Sequence, residues 1–261
     1  MDQFASYTNP PLFEVSIGLQ FQRLDRMKIP HFGGFWEKIK QEFPIVEHAA
    51  PIIQNQPVAD DFFPLPRVWF IDSSDTRLVQ LQPDRINFNW RFRPTSDPYP
   101  RFHMLAPKFF DLLDMFEKLI AKENIGIIQP TVAEITYINI FEHGREWNNT
   151  NDIDKILKDF IWNPETSRFL PCPEKLSWAA MFPLPGGQGT LSAKLNQGVR
   201  VTDKVQIMQF ELIANYPVQE VAGVTTESLK SWYTLAHEWI VKGFNDLTQP
   251  EAQVKYWGRT E

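Results

Sequence analysis

The sequence predicts an α+β protein with antiparallel sheets covered by helices, built from two pseudo-symmetric β-α-β-β-β-α repeats. Short segments in which apolar and polar residues alternate indicate strands, and longer segments with apolar residues at helical spacing indicate helices. Two strand segments, at residues 12–21 and 132–141, resemble one another, and the same order of elements follows each of them. Together these observations predict the α+β class.

The first repeat, residues 1–125, reads as strand, helix, three strands and a long helix. Its predicted elements are a strand at 12–21, a helix at 32–43, strands at 67–71, 78–82 and 85–93, and a helix through 109–120. Pro44 ends the first helix, and a proline-rich stretch then runs to Pro66. Pro107 is expected in the first turn of the long helix, or it kinks that helix if the helix begins earlier.

The second repeat, residues 126–261, follows the same order. Its predicted elements are a strand at 132–141, a short helix at 152–162, strands at 175–182, 190–196 and 204–216, and a long final helix. Thr226 is a suitable N-cap for that helix, because its side chain can accept a hydrogen bond from the first turn. The tail from Pro250 contains Tyr256 and Trp257, which predicts that it packs back onto the body of the protein.

The internal duplication has a consequence for function. Aligning Glu14 with Glu134 also aligns Ser16 with Thr136 and Phe21 with Phe141. Two related sheets can lie side by side or face to face around a pseudo-two-fold axis, so we expect the repeats to form one globular body. The seam between them is a natural place for a ligand pocket.

Composition restricts the class of protein. The chain of 261 residues has a formal net charge of −6, which argues against a protein whose whole surface binds nucleic acid. A single cysteine, Cys172, cannot form an internal disulfide, which favours a reducing compartment. No apolar run approaches the ~18 residues that span a bilayer, and the N-terminal residues do not resemble a signal peptide. We therefore expect a cytoplasmic protein without a membrane partner.

The strand at 85–93 carries the best candidate for a binding site. Apolar residues at 86, 88, 90 and 92 alternate with polar residues, so the polar side chains share one face. The candidate binding residues are Arg85, Asn87, Asn89, Arg91, Arg93 and the flanking Arg101. Guanidinium and amide groups suit an anionic ligand, a nucleic acid or a protein partner. The alternative is an ordinary solvated face of an antiparallel sheet.

Glu14 and Glu134 are the most suggestive catalytic pair. Each lies in the first strand of its repeat, and pseudo-symmetry can bring the two carboxylates together, where they would perturb each other's pKa or bind a metal. The alternative, which the sequence favours, is that they mark strand starts and face solvent or pair with arginines. The five histidines form no H-x-x-x-H or H-E-x-x-H pair, and Cys172 reads as an inert thiol.

Other catalytic and cofactor motifs are missing from the sequence. It contains no dinucleotide-binding G-x-G-x-x-G, no Walker phosphate loop and no G-x-S-x-G nucleophile elbow. The glycine-rich segment at 185–189 reads as a hairpin turn. No Cys/His cluster has zinc-site spacing. We therefore expect no cofactor, no metal and no catalytic residue.

The motifs of the first repeat resemble those of a known family. They are the run Leu81-Gln82-Pro83-Asp84-Arg85, the pair Asn89-Trp90, the run Tyr99-Pro100-Arg101-Phe102 and the opening Pro10-Pro11-Leu12-Phe13-Glu14-Val15. The chain resembles, over nearly its whole length, a sporadically distributed family of bacterial proteins of similar length that is defined by sequence and has no assigned reaction. That distribution implies a mobile accessory role such as phage defence or a toxin–antitoxin pair.

Three functions follow from these patterns. The first is a non-enzymatic binding or interaction protein of an accessory bacterial system, with a protein as its partner and nucleic acid disfavoured by net charge. The second is a sensor that binds a small molecule in a pocket between the repeats, for which the aromatic residues would form the lining. The third is a hydrolase or nuclease that uses Glu14 and Glu134. The sequence leaves the oligomeric state open.

Overall fold

The computed structural model describes residues 6–52, 65–94, 98–160, 169–171, 173–218 and 224–260. Its strands are β1 (Ser6–Tyr7), β2 (Leu12–Phe21), β3 (Ile45–Ala49), β4 (Arg67–Ile71), β5 (Arg77–Gln82), β6 (Arg85–Arg91), β7 (Pro130–Glu142), β8 (Ser177–Pro183), β9 (Thr190–Val199), β10 (Gln206–Pro217) and β11 (Arg259–Thr260). Its α-helices are α1 (Ile29–Ile39), α2 (Phe102–Lys122), α3 (Thr226–Leu247) and α4 (Pro250–Lys255). Helices together with antiparallel strand pairs confirm the predicted α+β class.

The chain divides into two compact units. Unit one comprises Met1–Phe13, Thr136–Ala214 and Thr234–Glu261, and unit two comprises Glu14–Ile135 and Asn215–Tyr233. The division falls within β2, β7, β10 and α3, which therefore contribute residues to both units. The predicted division of the sequence at residue 125 remains a prediction about repeats in the sequence.

Unit two contains the strand order β3-β4-β5-β6-β2, with antiparallel pairing throughout. Helices α1 and α2 cover one face of these strands, because both helices have an apolar stripe that must be removed from water. Phe35 of α1 contacts Phe70 of β4, with ring centroids 5.9 Å apart. Phe116 of α2 contacts both Phe35 and Phe21 of β2. These rings form the centre of the core of unit two.

Unit one contains the strand order β7-β10-β9-β8 and a separate ribbon in which β1 pairs with β11. The chain after Pro250 forms α4 and then brings Trp257 into the core. That side chain is fully buried and stacks on Phe141, with ring centroids 5.3 Å apart. The prediction that the tail packs back onto the protein is therefore confirmed within unit one.

The first repeat contains one strand that was not predicted, and its long helix begins earlier than its apolar stripe indicates. The proline-rich stretch after Pro44 contains a strand, β3, whose residues are mostly exposed and therefore show no alternation of apolar and polar residues. This strand forms through main-chain pairing with β4. Pro107 lies inside α2 and not in its first turn, because that helix begins at Phe102.

The second repeat differs from prediction in the type of its short helix and in the N-cap of its long helix. Residues Thr150–Lys155 form a 3₁₀-helix where an α-helix was predicted. Asp152 accepts hydrogen bonds from the main-chain N–H groups of Asn148 and Asn149, and such local bonds compete with α-helix formation. The N-cap of α3 is Thr225, since its Oγ1 accepts from the N–H of Ser228. Trp162 and Cys172 lie outside the described residues.

Candidate functional site

The face of the unit two strands opposite α1 and α2 is polar, and its residues follow from the strand register. Partners on neighbouring antiparallel strands point to the same side, and successive residues point to opposite sides. We call this surface the polar sheet face. Its members on β2, β4, β5 and β6 are Glu14, Ser16, Gly18, Gln20, Arg67, Trp69, Ile71, Leu78, Gln80, Gln82, Arg85, Asn87, Asn89 and Arg91. The edge strand β3 adds Ile45, Glu47 and Ala49, the partners of Ile71, Trp69 and Arg67.

Several polar side chains of the polar sheet face are shielded from water, whereas others, Asn87 among them, are half-buried. Asn89 is 2% exposed, Gln82 is 3% exposed and Arg85 is 7% exposed. A solvated sheet face, which was the alternative interpretation of these residues, would leave such side chains accessible. Burial of polar groups is tolerated when hydrogen bonds replace those lost to water, so the partners of these side chains matter.

A chain of hydrogen bonds crosses four strands on this face. Arg67 Nη1 on β4 donates to Gln80 Oε1 on β5 at 3.2 Å. Gln80 Nε2 donates to Asn89 Oδ1 on β6 at 2.9 Å, and Asn89 Nδ2 donates to Glu14 Oε1 on β2 at 2.6 Å. Each amide donates and accepts once, so the series runs from a guanidinium to a carboxylate and fixes both amide orientations.

Asn87 lies directly over Gly18 of the neighbouring strand. A Cβ atom built on Gly18 would stand 2.8 Å from Asn87 Cγ, closer than packed carbon atoms approach. Asn87 Nδ2 also makes a long hydrogen bond of 3.4 Å to Ser16 Oγ. The absence of a side chain at Gly18 therefore makes room for the amide at the centre of the face.

Glu14 ends the hydrogen-bond chain in a buried position. Burial raises the pKa of the Glu14 carboxyl, and the hydrogen bond from Asn89 together with the charges of Arg91 and Arg93 only partly opposes that rise. Glu134 has different surroundings. Its charge and the burial of Tyr233 raise the pKa of that phenol, burial being the larger cause. The two carboxylates of the predicted pair thus interact with different groups.

The six predicted binding residues fall into three settings. Arg85, Asn87, Asn89 and Arg91 share the polar sheet face. Arg91 and Arg93 both bind the carboxylate of Asp75, which follows β4 in the turn; Arg93 Nε donates to Asp75 Oδ2 at 2.7 Å. Arg93 lies beyond the end of β6.

Arg101, the sixth predicted residue, is not part of β6. It precedes α2 as the N-cap residue, with φ 72°. This left-handed backbone conformation is unusual for a residue with a side chain, and the Arg101 side chain is exposed. The four arginines therefore do not form one patch: Arg85 and Arg91 lie on β6, Arg93 follows that strand, and Arg101 precedes α2.

Sequence reasoning missed the members of the face that lie on the strands beside β6, among them Gly18, Arg67, Trp69 and Gln80. The alternation in the segment Arg67–Ile71 indicates that Arg67 and Trp69 share a side, but it does not indicate which neighbouring strand they meet. The role of Gln80 could not be predicted either, because it depends on the strand pairing that places Gln80 between Arg67 and Asn89.

Four donor atoms on this face are buried and have no hydrogen-bond acceptor. They are Arg67 Nε, Trp69 Nε1, Arg85 Nε and Arg85 Nη2. Arg67 also lies over the Trp69 ring, with its guanidinium carbon 5.2 Å from the ring centroid. Arg85 Nε lies 3.5 Å from Asp84 Oδ1, an ion pair too long to satisfy the donor.

Three of the five histidines, His31, His143 and His237, have ordinary structural partners. His143 Nε2 lies 3.0 Å from the carbonyl oxygen of Asn148, and His31 Nδ1 accepts from the main-chain N–H of Lys28 at the start of α1. His237 Nδ1 lies 2.9 Å from the hydroxyl of Tyr137 in unit one. Across the described ranges, no group of three or more His, Cys, Asp or Glu side chains is arranged to hold a metal ion.

Comparison with known proteins identifies neither a family nor a related fold for this chain. No family model matches the chain, and no curated protein matches it. Among solved structures, a similarity was found to the di-domain ARO/CYC StfQ from the steffimycin biosynthetic pathway, with 9% sequence identity and a TM-score of 0.16 over 89% of this chain and 97% of that one. That score is too low to support an argument about fold or function. None of the helices in the described part of the chain combines the length and apolar character needed to cross a membrane.

Proposed function

We propose that this protein is a non-enzymatic binding protein and that the polar sheet face is its recognition surface. The observation that carries the proposal is the hydrogen-bond chain from Arg67 through Gln80 and Asn89 to Glu14. Side chains held by one another lose little further freedom when a partner binds, which favours recognition. Asn87, half-buried at the centre of the face, presents an amide that can donate and accept.

We further infer that the partner is a protein of an accessory bacterial system, of the phage-defence or toxin–antitoxin type, and that the protein acts in the cytoplasm. The single cysteine and the acidic net charge support a reducing compartment and a partner other than nucleic acid. The accessory role rests on the family that the sequence motifs resemble.

The internal duplication is part of the same proposal. Within unit two the meander β4-β5-β6 has β2 beside its last strand, and within unit one the meander β8-β9-β10 has β7 beside its last strand. A long helix follows each meander, 21 residues in α2 and 22 residues in α3. These matching orders support two copies of one β-α-β-β-β-α unit, of which the first developed the polar sheet face.

A comparison of two asparagine variants tests the proposed surface. The full-length tagged protein, expressed with its genomic neighbours, is purified mildly and weighed by native mass spectrometry. We expect a stoichiometric protein partner on the wild type and on a control Asn148→Ala, which changes an exposed amide of unit one. Asn87→Ala should lose that partner.

Equal retention by both variants would show that the polar sheet face is not the contact surface. A small added mass in place of a protein would instead support the small-molecule sensor. A bare wild-type protein would contradict the proposal of a stable protein partner.

A further inference from the structure

We propose that the end of the polar sheet face formed by Arg67, Trp69 and Arg85 binds a small oxyanion, a phosphate or a carboxylate group. This inference rests on the proposed function, because it names a ligand class for the same recognition surface. The anion site goes beyond the proposed function because it lies at one end of the polar sheet face and needs no protein partner, so it can be tested on the purified protein alone.

The strand register gathers these three residues. Gln82 of β5 is the direct partner of Arg85 of β6, and Trp69 of β4 is the partner of Gln80. Arg67 stands two residues before Trp69 and reaches Gln80 with its Nη1 atom. The two guanidinium groups and the indole therefore lie on the same side of the sheet, with Arg67 and Trp69 on β4 and Arg85 on β6, across the intervening strand β5. Neighbouring strands lie about 4.8 Å apart, so the two arginine backbones are about 10 Å apart and a shared ligand lies over β5 between their side chains.

The donors are arranged for an oxyanion. Arg85 leaves both Nε and Nη2 without an acceptor, and this edge of a guanidinium makes paired hydrogen bonds to carboxylate or phosphate oxygens. Trp69 Nε1 and Arg67 Nε add two further unused donors. The unused atoms are all N–H donors, and two of the three groups carry positive charge, so the missing partner is an acceptor with negative charge.

The burial of Arg85 makes an empty site costly. Its side chain is 8% exposed, and among the described residues its ion-pair partner is Asp84, which is 28% exposed and lies 3.5 Å away. A buried guanidinium that lacks acceptors loses its hydration without compensation. An oxyanion would supply those acceptors.

Two more contacts define the setting. Gln82, beside Arg85, is occupied by the main chain of Ile52: it accepts from the Ile52 N–H at 3.0 Å and donates to the Ile52 carbonyl at 3.3 Å. The pKa of the Arg67 guanidinium is lowered, first by burial and second by the positive charge of Arg85. This agrees with the guanidinium groups of Arg67 and Arg85 lying close together. Gln82 is thus occupied by the main chain, and the two guanidinium groups lie near enough for their charges to interact.

Thermal denaturation with inorganic phosphate tests the inference. Unfolding is followed in a buffer without oxyanions, with added phosphate or with sodium chloride at matched ionic strength. The proteins are the wild type, Trp69→Phe, Arg85→Met and the control Arg26→Met, which removes an exposed arginine elsewhere in unit two. A ligand that binds only the folded state raises the melting temperature as its concentration exceeds Kd.

We expect phosphate, and not chloride, to raise the melting temperature of the wild type and of Arg26→Met. Trp69→Phe keeps the ring and removes one donor, and should weaken phosphate binding by roughly tenfold to 100-fold. Arg85→Met should abolish the phosphate shift while being at least as stable as the wild type without phosphate, because an apolar side chain replaces a buried charge with two unsatisfied donors. Acetate in place of phosphate shows whether a carboxylate also fits.

Equal phosphate shifts in all four proteins, or no shift in the wild type, would overturn the anion site. That failure is separable from failure of the proposed function. A protein that loses its partner on Asn87→Ala but does not respond to either oxyanion has the recognition surface without the anion site. A protein that responds to phosphate but has no protein partner has the anion site without the proposed interaction.

Discussion

Replacing Gly18 with alanine tests how tightly the polar sheet face is assembled. Gly18 is buried within β2, where its backbone is extended and imposes no requirement for glycine by itself. Removing glycine flexibility from the unfolded chain would then stabilise the protein by about 0.4–1 kcal/mol. The new methyl group, however, would meet the Asn87 side chain, with its Cβ 2.8 Å from Asn87 Cγ. Relieving such overpacking costs about 1–3 kcal/mol.

The net expectation is that Gly18→Ala destabilises the protein by about 0.5–2 kcal/mol. Asn87→Ala removes the obstructing side chain and one weak hydrogen bond, and alone should cost less than about 1 kcal/mol. In the double variant the methyl group fills space that the amide has left. The two substitutions should therefore be coupled by about 1–3 kcal/mol, with the double variant more stable than the sum of the single changes predicts.

The assay is urea denaturation of the four proteins in this double-mutant cycle, followed by tryptophan fluorescence and circular dichroism. The two probes must give coincident transitions before a single free energy of unfolding is assigned, because the chain contains two compact units. Gly18→Ala as stable as the wild type, or additive single effects, would refute the packing of Asn87 over Gly18 and the description of the face that depends on it.

Three further predictions concern buried polar groups. Burial raises the pKa of Glu14 above its ordinary 4.5. Ionising this carboxyl therefore costs the folded protein more than the unfolded chain, and the wild type loses stability as the pH rises through 4.5 and above. Urea titrations from pH 4 to 7 should show that Glu14→Gln gains stability relative to the wild type over this range. Burial opposes ionisation of Asp72, but hydrogen bonds from Arg77 and the residues between them outweigh it and lower its pKa below 3.8. Asp72→Asn should therefore cost about 1.5–3 kcal/mol at pH 7 by chemical denaturation, and that difference should disappear as the pH falls through the lowered pKa. Tyr233 Oη donates a hydrogen bond to the Gly18 carbonyl at 2.6 Å inside unit two. Tyr233→Phe should therefore lower the free energy of unfolding by about 1–3 kcal/mol. An unchanged midpoint of thermal unfolding would show that this hydrogen bond contributes nothing to stability.

The local patterns of the chain were sufficient for most helices and strands. In β6 the buried residues Ile86, Phe88 and Trp90 alternate with the polar residues, as the sequence predicts. The long helices α2 and α3 follow from their apolar stripes in the same way. These elements were predictable because their core-facing residues repeat with the period of the backbone itself.

Elements that depend on a partner were not predictable. The strand β3 has exposed side chains and exists through hydrogen bonds to β4, so its own sequence has no alternation to detect. The 3₁₀-helix at Thr150–Lys155 replaces an α-helix because side-chain oxygens of its first turn bind nearby N–H groups. In both cases a contact outside the periodic pattern decided the structure.

The sequence by itself determined that residues 85–93 contain a strand, which the structure ends at Arg91, with one apolar and one polar side, and that its arginines and asparagines share the polar side. Only the tertiary structure decided which strands lie beside it. That choice places Gly18 under Asn87, Gln80 between Arg67 and Asn89, and Arg85 in a buried position without acceptors. The physical reason is that alternation fixes the side of a strand on which a residue lies, whereas cross-strand neighbours are set by register between segments distant in sequence.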